Sequence, residues 1–328
     1  MKPTLWTRGV ALALAAVAQS LHAQVAATPP IVGRWDLTIT GGRGSYASWL
    51  EVERSGFGAL VGRFTGRIGG MRPIGRVEWR GDTVRFSIPP QWDNADADLR
   101  FEGRLEGDRL TGTITNPNGA VHRFTGRRAP SLRRASKPVW GAPVALFNAR
   151  TLEGWVPDQA GPNQWAVRDG VLTNAAPGAN LETTQRFDDF QLHVEFRYPK
   201  GGDSGVMLRG RYEVQIRDDP ERELPTRESI GGVYGFLGPS ENAARAPGEW
   251  QTFDLTLVGR HVTVVLNGKT VIANQIIPGL TGSAVDADEG APGPIVLQGE
   301  ESALEFRNIT IRVPRGATTP AGRAPQRQ

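Results

Sequence analysis

The chain has 328 residues, 39% of them apolar and 22% charged, with a formal net charge of +4 at pH 7, the proportions of a soluble globular protein long enough for two domains. It contains no cysteine, which excludes thiol nucleophiles, thiolate metal sites, disulfides and a lipidated cysteine. Past residue 23 no segment approaches the roughly 20 consecutive apolar residues of a membrane helix.

The opening stretch MKPTLWTRGVALALAAVAQSLHAQ joins basic Lys2 and Arg8 to an apolar run from Val10 to Ala18 and small residues near Ala23. This is the pattern of a secretory signal, and the run is too short to span a bilayer. Residues 1–23 are therefore expected to be removed and the mature protein to be periplasmic or secreted, its domains standing on their cores alone.

From Ile31 to Arg128 about eight runs rich in β-branched and aromatic residues follow one another, among them GRWDLTIT, SWLEVER, IGRVEWR and LRFEGRLEG. Gly, Asn and Asp punctuation separates them at RGD, EGD and NPNG, and no helical period persists. Spacing near 12 residues predicts an up-and-down meander, in the form of a small closed barrel that removes its own edges. Gly33-Arg34-Trp35 resembles the Gly-x-Trp opening of lipocalin-like and avidin-like barrels. Trp35, Trp49, Trp79 and Trp92 are candidates either for core positions or for the lining of a cavity.

Residues 128–143, RAPSLRRASKPVWGAP, read as a linker at 129–143, and PRGATTPAGRAPQRQ from Pro314 has the composition of a disordered tail. Charge divides across the linker. Residues 31–140 carry 18 Lys/Arg against 11 Asp/Glu, and residues 141–313 carry 15 against 23. Opposite signs either help two domains dock or belong to two solvated surfaces. The basic residues of the first half are dispersed and few aromatics lie among them, which argues against a nucleic-acid partner. Between linker and tail, about 170 residues hold roughly twelve strand runs, too many for a small barrel and fitting a two-sheet β-sandwich.

Within FQLHVEFRY, apolar Phe190, Leu192, Val194, Phe196 and Tyr198 alternate with Gln191, His193, Glu195 and Arg197, so one face is core and the other polar. SGVMLRGRYEVQI and PIVLQGE alternate likewise. If these strands share one curved sheet, Glu195, Arg209, Glu213, Gln215 and Gln298 gather on one surface. A solvated face would alternate in the same way. Repeated Glu, Gln and Arg, rather than Lys, Thr and Ser, favour directed hydrogen bonds to sugar hydroxyls or proton transfer. Glycines at 201, 202, 205, 231, 232, 235 and 238 flank these strands and permit close backbone approach, and Tyr234 lies among them as a stacking platform.

The blocks ALFNARTLEGW, WAVRDGVLT, FDDFQLHVEFRYPKGGDSGVMLRGRYEVQIRD, GGVYG, APGEWQTFDLTLVGRHVTVVLNGK, PGPIVLQGE and LEFRNITI, in this order from about Val144 to Val313, resemble the 3-keto-disaccharide hydrolase family. The resemblance implies a concanavalin-like jelly roll, with the first domain outside its reach, and cleavage of glycosides oxidised at C3. A C3 ketone acidifies the C2 proton, so a positioned base removes it, the C1 substituent is expelled, and water adds. The blocks put forward Glu213, Glu195 and Glu300 as base or acid, with Glu213 first, and Arg209, Gln215, Gln298, Tyr234 and Arg197 as substrate-binding groups. Many relatives read Gln-Asp-His-Gly where this chain has Gln298-Gly299-Glu300-Glu301, so no histidine role transfers there. His193 and His261, the two histidines of this half, are expected on exposed strand faces. No cofactor is certain; a divalent metal stays open, with Asp286, Asp288 and Glu289 forming either a Ca²⁺-type set or an ordinary acidic loop. Two rivals remain. One is a direct glycosidase pairing Glu213 with Asp218, which requires a bulge between them; the other is a carbohydrate-binding protein without turnover. The saccharide's identity and the oligomeric state are not specified.

Overall fold

The computed structural model describes residues 27–317 apart from residues 43, 57, 92–93 and 220–223. The export-signal reading, the position of Trp92 and most of the tail lie outside the described residues. The described structure is all β, and none of its segments is a helix long and apolar enough to cross a membrane.

Eight strands form the first unit: β1 (Gly33–Gly41), β2 (Gly44–Ser55), β3 (Ala59–Thr65), β4 (Arg72–Arg80), β5 (Thr83–Ile88), β6 (Leu99–Glu106), β7 (Arg109–Thr115) and β8 (Val121–Arg128). Each pairs antiparallel with the next, and β1 pairs with β8, closing the barrel. Strict alternation drives this. In β6, Leu99, Phe101, Gly103 and Leu105 are buried while the residues between them are exposed. The RGD and EGD segments are the two-residue hairpin turns β4–β5 and β6–β7. Trp35 belongs to the barrel core, its Nε1–H donating to the Ile31 carbonyl at 2.9 Å and the Arg128 guanidinium lying 4.1 Å from its ring centroid. Trp49 does not. Its side chain leaves the barrel, is 0% exposed, and joins the core of the second unit, edge-on to Phe236. On β2 the even-numbered Leu50 and Val52 fill the barrel, so odd-numbered positions necessarily point out.

The second unit contains β9 (Val144–Ala145), β10 (Trp155–Pro157), β11 (Trp165–Arg168), β12 (Val171–Asn174), β13 (Leu181–Thr183), β14 (Phe190–Arg197), β15 (Asp203–Leu208), β16 (Tyr212–Arg217), β17 (Gln251–Val258), β18 (His261–Leu266), β19 (Lys269–Ile276), β20 (Val296–Leu297) and β21 (Leu304–Arg312). They build a concanavalin-like jelly-roll sandwich. A small sheet runs β10-β13-β20-β15-β16, and a large one runs β11-β12-β21-β14-β17-β18-β19, with β9 on β21. The apolar faces of both sheets meet in one core, where Val206, Val214, Ile216 and Leu297 of the small sheet join Leu192, Val194, Phe196, Phe253 and Phe306 of the large one.

The segment between the units is tied to the sandwich. Pro130 offers its carbonyl to Arg260, and Arg134 pairs with Asp189 at 2.6 Å and Asp188 at 2.7 Å. The barrel docks through the outward sides of β1, β2 and β8. Arg34 donates to the Pro278 carbonyl, Arg127 pairs with Asp288 at 2.6 Å, and Asp36 is buried against the segment containing Glu289.

Candidate active site

The outer face of the small sheet carries the site. On β16 Tyr212, Val214 and Ile216 enter the core, so Glu213, Gln215 and Arg217 share the opposite face. The β15–β16 register is regular and sets Met207 against Glu213, Gly205 against Gln215 and Asp203 against Arg217. Gln298 follows β20 on the other flank of β15, its N–H donating to the Gly205 carbonyl at 3.0 Å.

Glu213 is 6% exposed. Its backbone is fixed at both ends, N–H to Thr281 Oγ1 at 3.1 Å and carbonyl to the Tyr234 N–H at 3.0 Å. Its carboxylate takes no hydrogen bond or ion pair from any described residue. It lies across Gly205: a Cβ there would sit 2.7 Å from Glu213 Cγ and 2.8 Å from Oε1, so only glycine leaves room. Burial, followed by repulsion from Asp203, Glu300 and Glu301, pushes the Glu213 carboxyl up to about 8. A buried carboxyl with an unmatched oxygen pair and a pKa near neutrality has the properties of a general base.

Around it the polar groups are oriented but incompletely used. Gln215 Nε2 donates to Asp203 Oδ1 at 2.8 Å, which leaves the buried Gln215 Oε1 unpartnered among the described residues; Gln298 Oε1 is buried and unpartnered too. Two buried acceptors without donors fit a hydroxyl-bearing ligand. Arg217 brings a guanidinium to the same face, its Nε 3.8 Å from Asp203 Oδ2. Burial raises the Asp203 pKa against the pull of Arg217. Tyr234 is half-buried beside Glu213, and burial and that neighbour raise its pKa. Glu300, at the exposed rim, accepts from Asn180 Nδ2 at 2.7 Å.

Three expected residues lie elsewhere. Glu195 and Arg197 are on β14, which pairs with β17 and β21 in the large sheet, so their polar face is the far side of the sandwich. There Glu195 accepts from Arg307 Nε at 2.7 Å and Asn308 Nδ2 at 2.6 Å, while Arg197 pairs with Glu305 and stacks over Trp250 at 4.9 Å. The alternation of β14 is as expected; membership in one curved sheet with β16 is not, because alternation is the same in either sheet. Arg209 falls in the β15–β16 turn at φ +55°, 0% exposed, with Nη2 donating to the carbonyls of Ala291 at 3.0 Å and Glu289. It ties the turn to the 289–291 segment and does not face the site. His193 pairs with Asp254 on the large sheet and His261 is on β18 of that sheet, both away from Glu213.

Asp203 and Arg217 share this face with Glu213 and Gln215 without being among the candidates that the sequence puts forward. Both carried a signal, since Arg217 continues the i, i+2 series of Glu213 and Gln215, and the three-residue hairpin turn centred on Gly210 pairs it with Asp203. The candidate cation set is already engaged: Asp286 accepts from Arg211 at 2.7 Å, Asp288 pairs with Arg127, and Glu289 accepts from Tyr212 Oη at 2.6 Å and from Arg260. Among the described residues no group of three or more His, Cys, Asp or Glu is placed to hold a metal ion. The glycosidase pairing is also not assembled. The β15–β16 ladder has no bulge, and Asp218 turns away to accept the Gly201 N–H at 2.7 Å.

The second unit is thus a jelly-roll sandwich with carboxylates and amides held on the outer face of one sheet. The profile of the 3-keto-alpha-glucoside-1,2-lyase-like domain matches residues 142–312, half of the chain, and the chain belongs to that family. The 3-keto-disaccharide hydrolase of Bacteroides thetaiotaomicron is 26% identical over 86 residues, a match covering 23% of this chain and 29% of that protein. The structure of a "putative glycosyl hydrolase" from Parabacteroides distasonis ATCC 8503 is 29% identical, covers 55% of this chain and 93% of that one, and superposes with a TM-score of 0.45. LamAcat of Zobellia galactanivorans is 13% identical over 49% of this chain and 91% of that one, with a TM-score of 0.33.

Proposed function

We propose that the protein cleaves 3-keto-glycosides by elimination followed by hydration, with Glu213 as the base. The observation that carries this is the Glu213 carboxylate itself, buried, unpaired and laid over Gly205 beside two acceptor amides. The C2–H bond breaks and its proton passes to Glu213; the electron pair forms an enolate with the C3 oxygen. Collapse of the enolate forms the C1–C2 double bond and expels the C1 oxygen, which takes up a proton. The expelled oxygen leaves as an alcohol, and water then adds across C1–C2, OH to C1 and H to C2, to give the free 3-keto sugar. Arg217 supplies the positive charge for the enolate oxygen, and Asp203, whose burial favours its protonated form, serves the departing oxygen. Gln215 and Gln298 accept from sugar hydroxyls. The family description, a 1,2-lyase acting on a 3-keto-glucoside, supports removal at C2 with loss at C1. Export belongs to the same proposal, on the strength of the pattern in residues 1–23; a mature N-terminus near residue 24 is its test.

Purified protein incubated with a 3-keto-disaccharide and with the unoxidised parent tests the chemistry. Release of both halves from the first and not from the second is expected. Equal cleavage of both favours a direct glycosidase; cleavage of neither, with binding intact, favours a carbohydrate-binding protein.

A further inference from the structure

β16 is the edge strand of the small sheet, so a ligand seated over Glu213 has a floor on one side. The segment containing Tyr234 walls the other, with Val233 bridged to Val214. Across the sheet the row through Glu213 continues as Met207, Val296 and Glu182, strand by strand. Those three residues line a cleft of about 400 Å³, within the range of about 300–1,000 Å³ that small-molecule sites occupy.

The opposite wall of this cleft comes from the barrel. Ser45, Tyr46 and Ala47 at the start of β2 and Arg67 and Ile68 from the β3–β4 loop line it. The loop is seated firmly. The Ser283 N–H donates to the Arg67 carbonyl at 2.8 Å, and a Cβ on Gly235, the neighbour of Tyr234, would come within 2.6 Å of the Gly70 Cα. Arg67 itself is exposed, its guanidinium 5.8 Å from the Tyr46 ring centroid. Facing them, Asn180 clamps two carboxylates, donating to Asp158 Oδ2 at 2.9 Å and Glu300 Oε1 at 2.7 Å. The cleft therefore has Met207 and Val296 on its floor with the Glu182 carboxylate beside them, further acceptors on the sandwich side, and a cation beside an aromatic ring on the barrel side. That combination suits a ring bearing several hydroxyls, whose donors meet carboxylates and whose oxygens meet guanidinium.

We propose that the barrel completes the substrate site: the cleft between Arg67–Tyr46 and Glu182 is the subsite for the departing C1 substituent, taking a second sugar ring or another polyhydroxylated aglycone. This rests on the functional reading above. On that reading the keto ring lies over Glu213, and its C1 substituent extends along the covered part of the sheet. The barrel then acts as a specificity element for the leaving side.

Binding separates this proposal from the chemistry. In full-length protein carrying Glu213→Gln, isothermal titration measures the affinities of a 3-keto-glucosyl disaccharide and of methyl 3-keto-α-glucoside. The disaccharide is expected to bind about 10-fold more tightly, and Arg67→Ala or the cleft-filling Ser45→Trp, both at exposed positions, should each erase that advantage. An advantage that survives both substitutions, no advantage at the outset, or no binding of either ligand overturns the subsite. If the advantage is present and lost as expected while protein with Glu213 intact cleaves neither ligand, the subsite stands and the proposed chemistry fails.

Discussion

Replacing Glu213 by glutamine keeps the shape of the side chain and removes its charge, so the pH dependence of two properties should change together. In the unfolded chain the carboxyl titrates near 4.5, and in the folded protein near 8. Below pH 4.5 both states hold the proton and the residue adds no pH dependence. Between these values the unfolded chain ionises while the native protein keeps its proton, so stability declines as pH rises, levelling off above about 8. The full displacement corresponds to a ceiling of about 5 kcal/mol. Glu213→Gln lacks this loss. Denaturant midpoints at pH 5 and pH 9 for both proteins measure it, and the fall between the two pH values should be smaller in the variant by a few kcal/mol, up to that ceiling. In parallel, kcat/KM of the unsubstituted protein should rise with pH and plateau above about 8, with the variant slower by about 10³-fold or more. Parallel stability profiles for the two proteins would refute the assignment of a buried, proton-retaining carboxyl, whatever happened to activity.

Gly205→Ala places a methyl group against Glu213 Cγ and Oε1; turnover should fall about 10-fold or more at a stability cost of about 1–3 kcal/mol, checked by kinetics beside thermal melts. Arg217→Ala should lower kcat far more than it lowers stability, whereas Arg209→Ala, which empties a fully buried side-chain site and takes the guanidinium donor from the Glu289 carbonyl while Ala291 keeps Arg211, should cost about 3 kcal/mol or more in denaturant unfolding. Glu195→Gln, on the far face, should leave kcat/KM within about twofold of the unsubstituted protein, and a loss comparable to that of Glu213→Gln would return β14 to the site. Trp49→Ala removes the indole with which the barrel fills the sandwich core and should cost about 3–5 kcal/mol, read as a lowered unfolding midpoint.

Much of this molecule was legible because strands write their environment at period two. The eight barrel runs, the alternation of β14 and β16, and the inward set Val206, Val214, Ile216 and Leu297 follow from side chains pointing alternately to two sides. The hairpin at Arg209-Gly210 is local as well, and with it comes the pairing of Glu213 to Met207 and Gln215 to Gly205. Which sheet a strand joins is not local. Glu195 and Glu213 sit in equally good alternating patterns, and only the pairing of β14 with β17 and β21 separates them onto opposite faces. Arg209 looked like a member of the polar series, yet a positive φ at the turn takes it out of the alternation and into contact with the 289–291 carbonyls. Trp49 looked like a barrel residue, and the docking of a second unit made it a sandwich residue. The sequence by itself determined the strands, their inward faces and the chemical types on the outward ones, because those depend on neighbours two residues away. The tertiary structure alone decided which outward residues meet, and that a barrel loop stands over the small sheet, because both depend on contacts between strands distant in the chain.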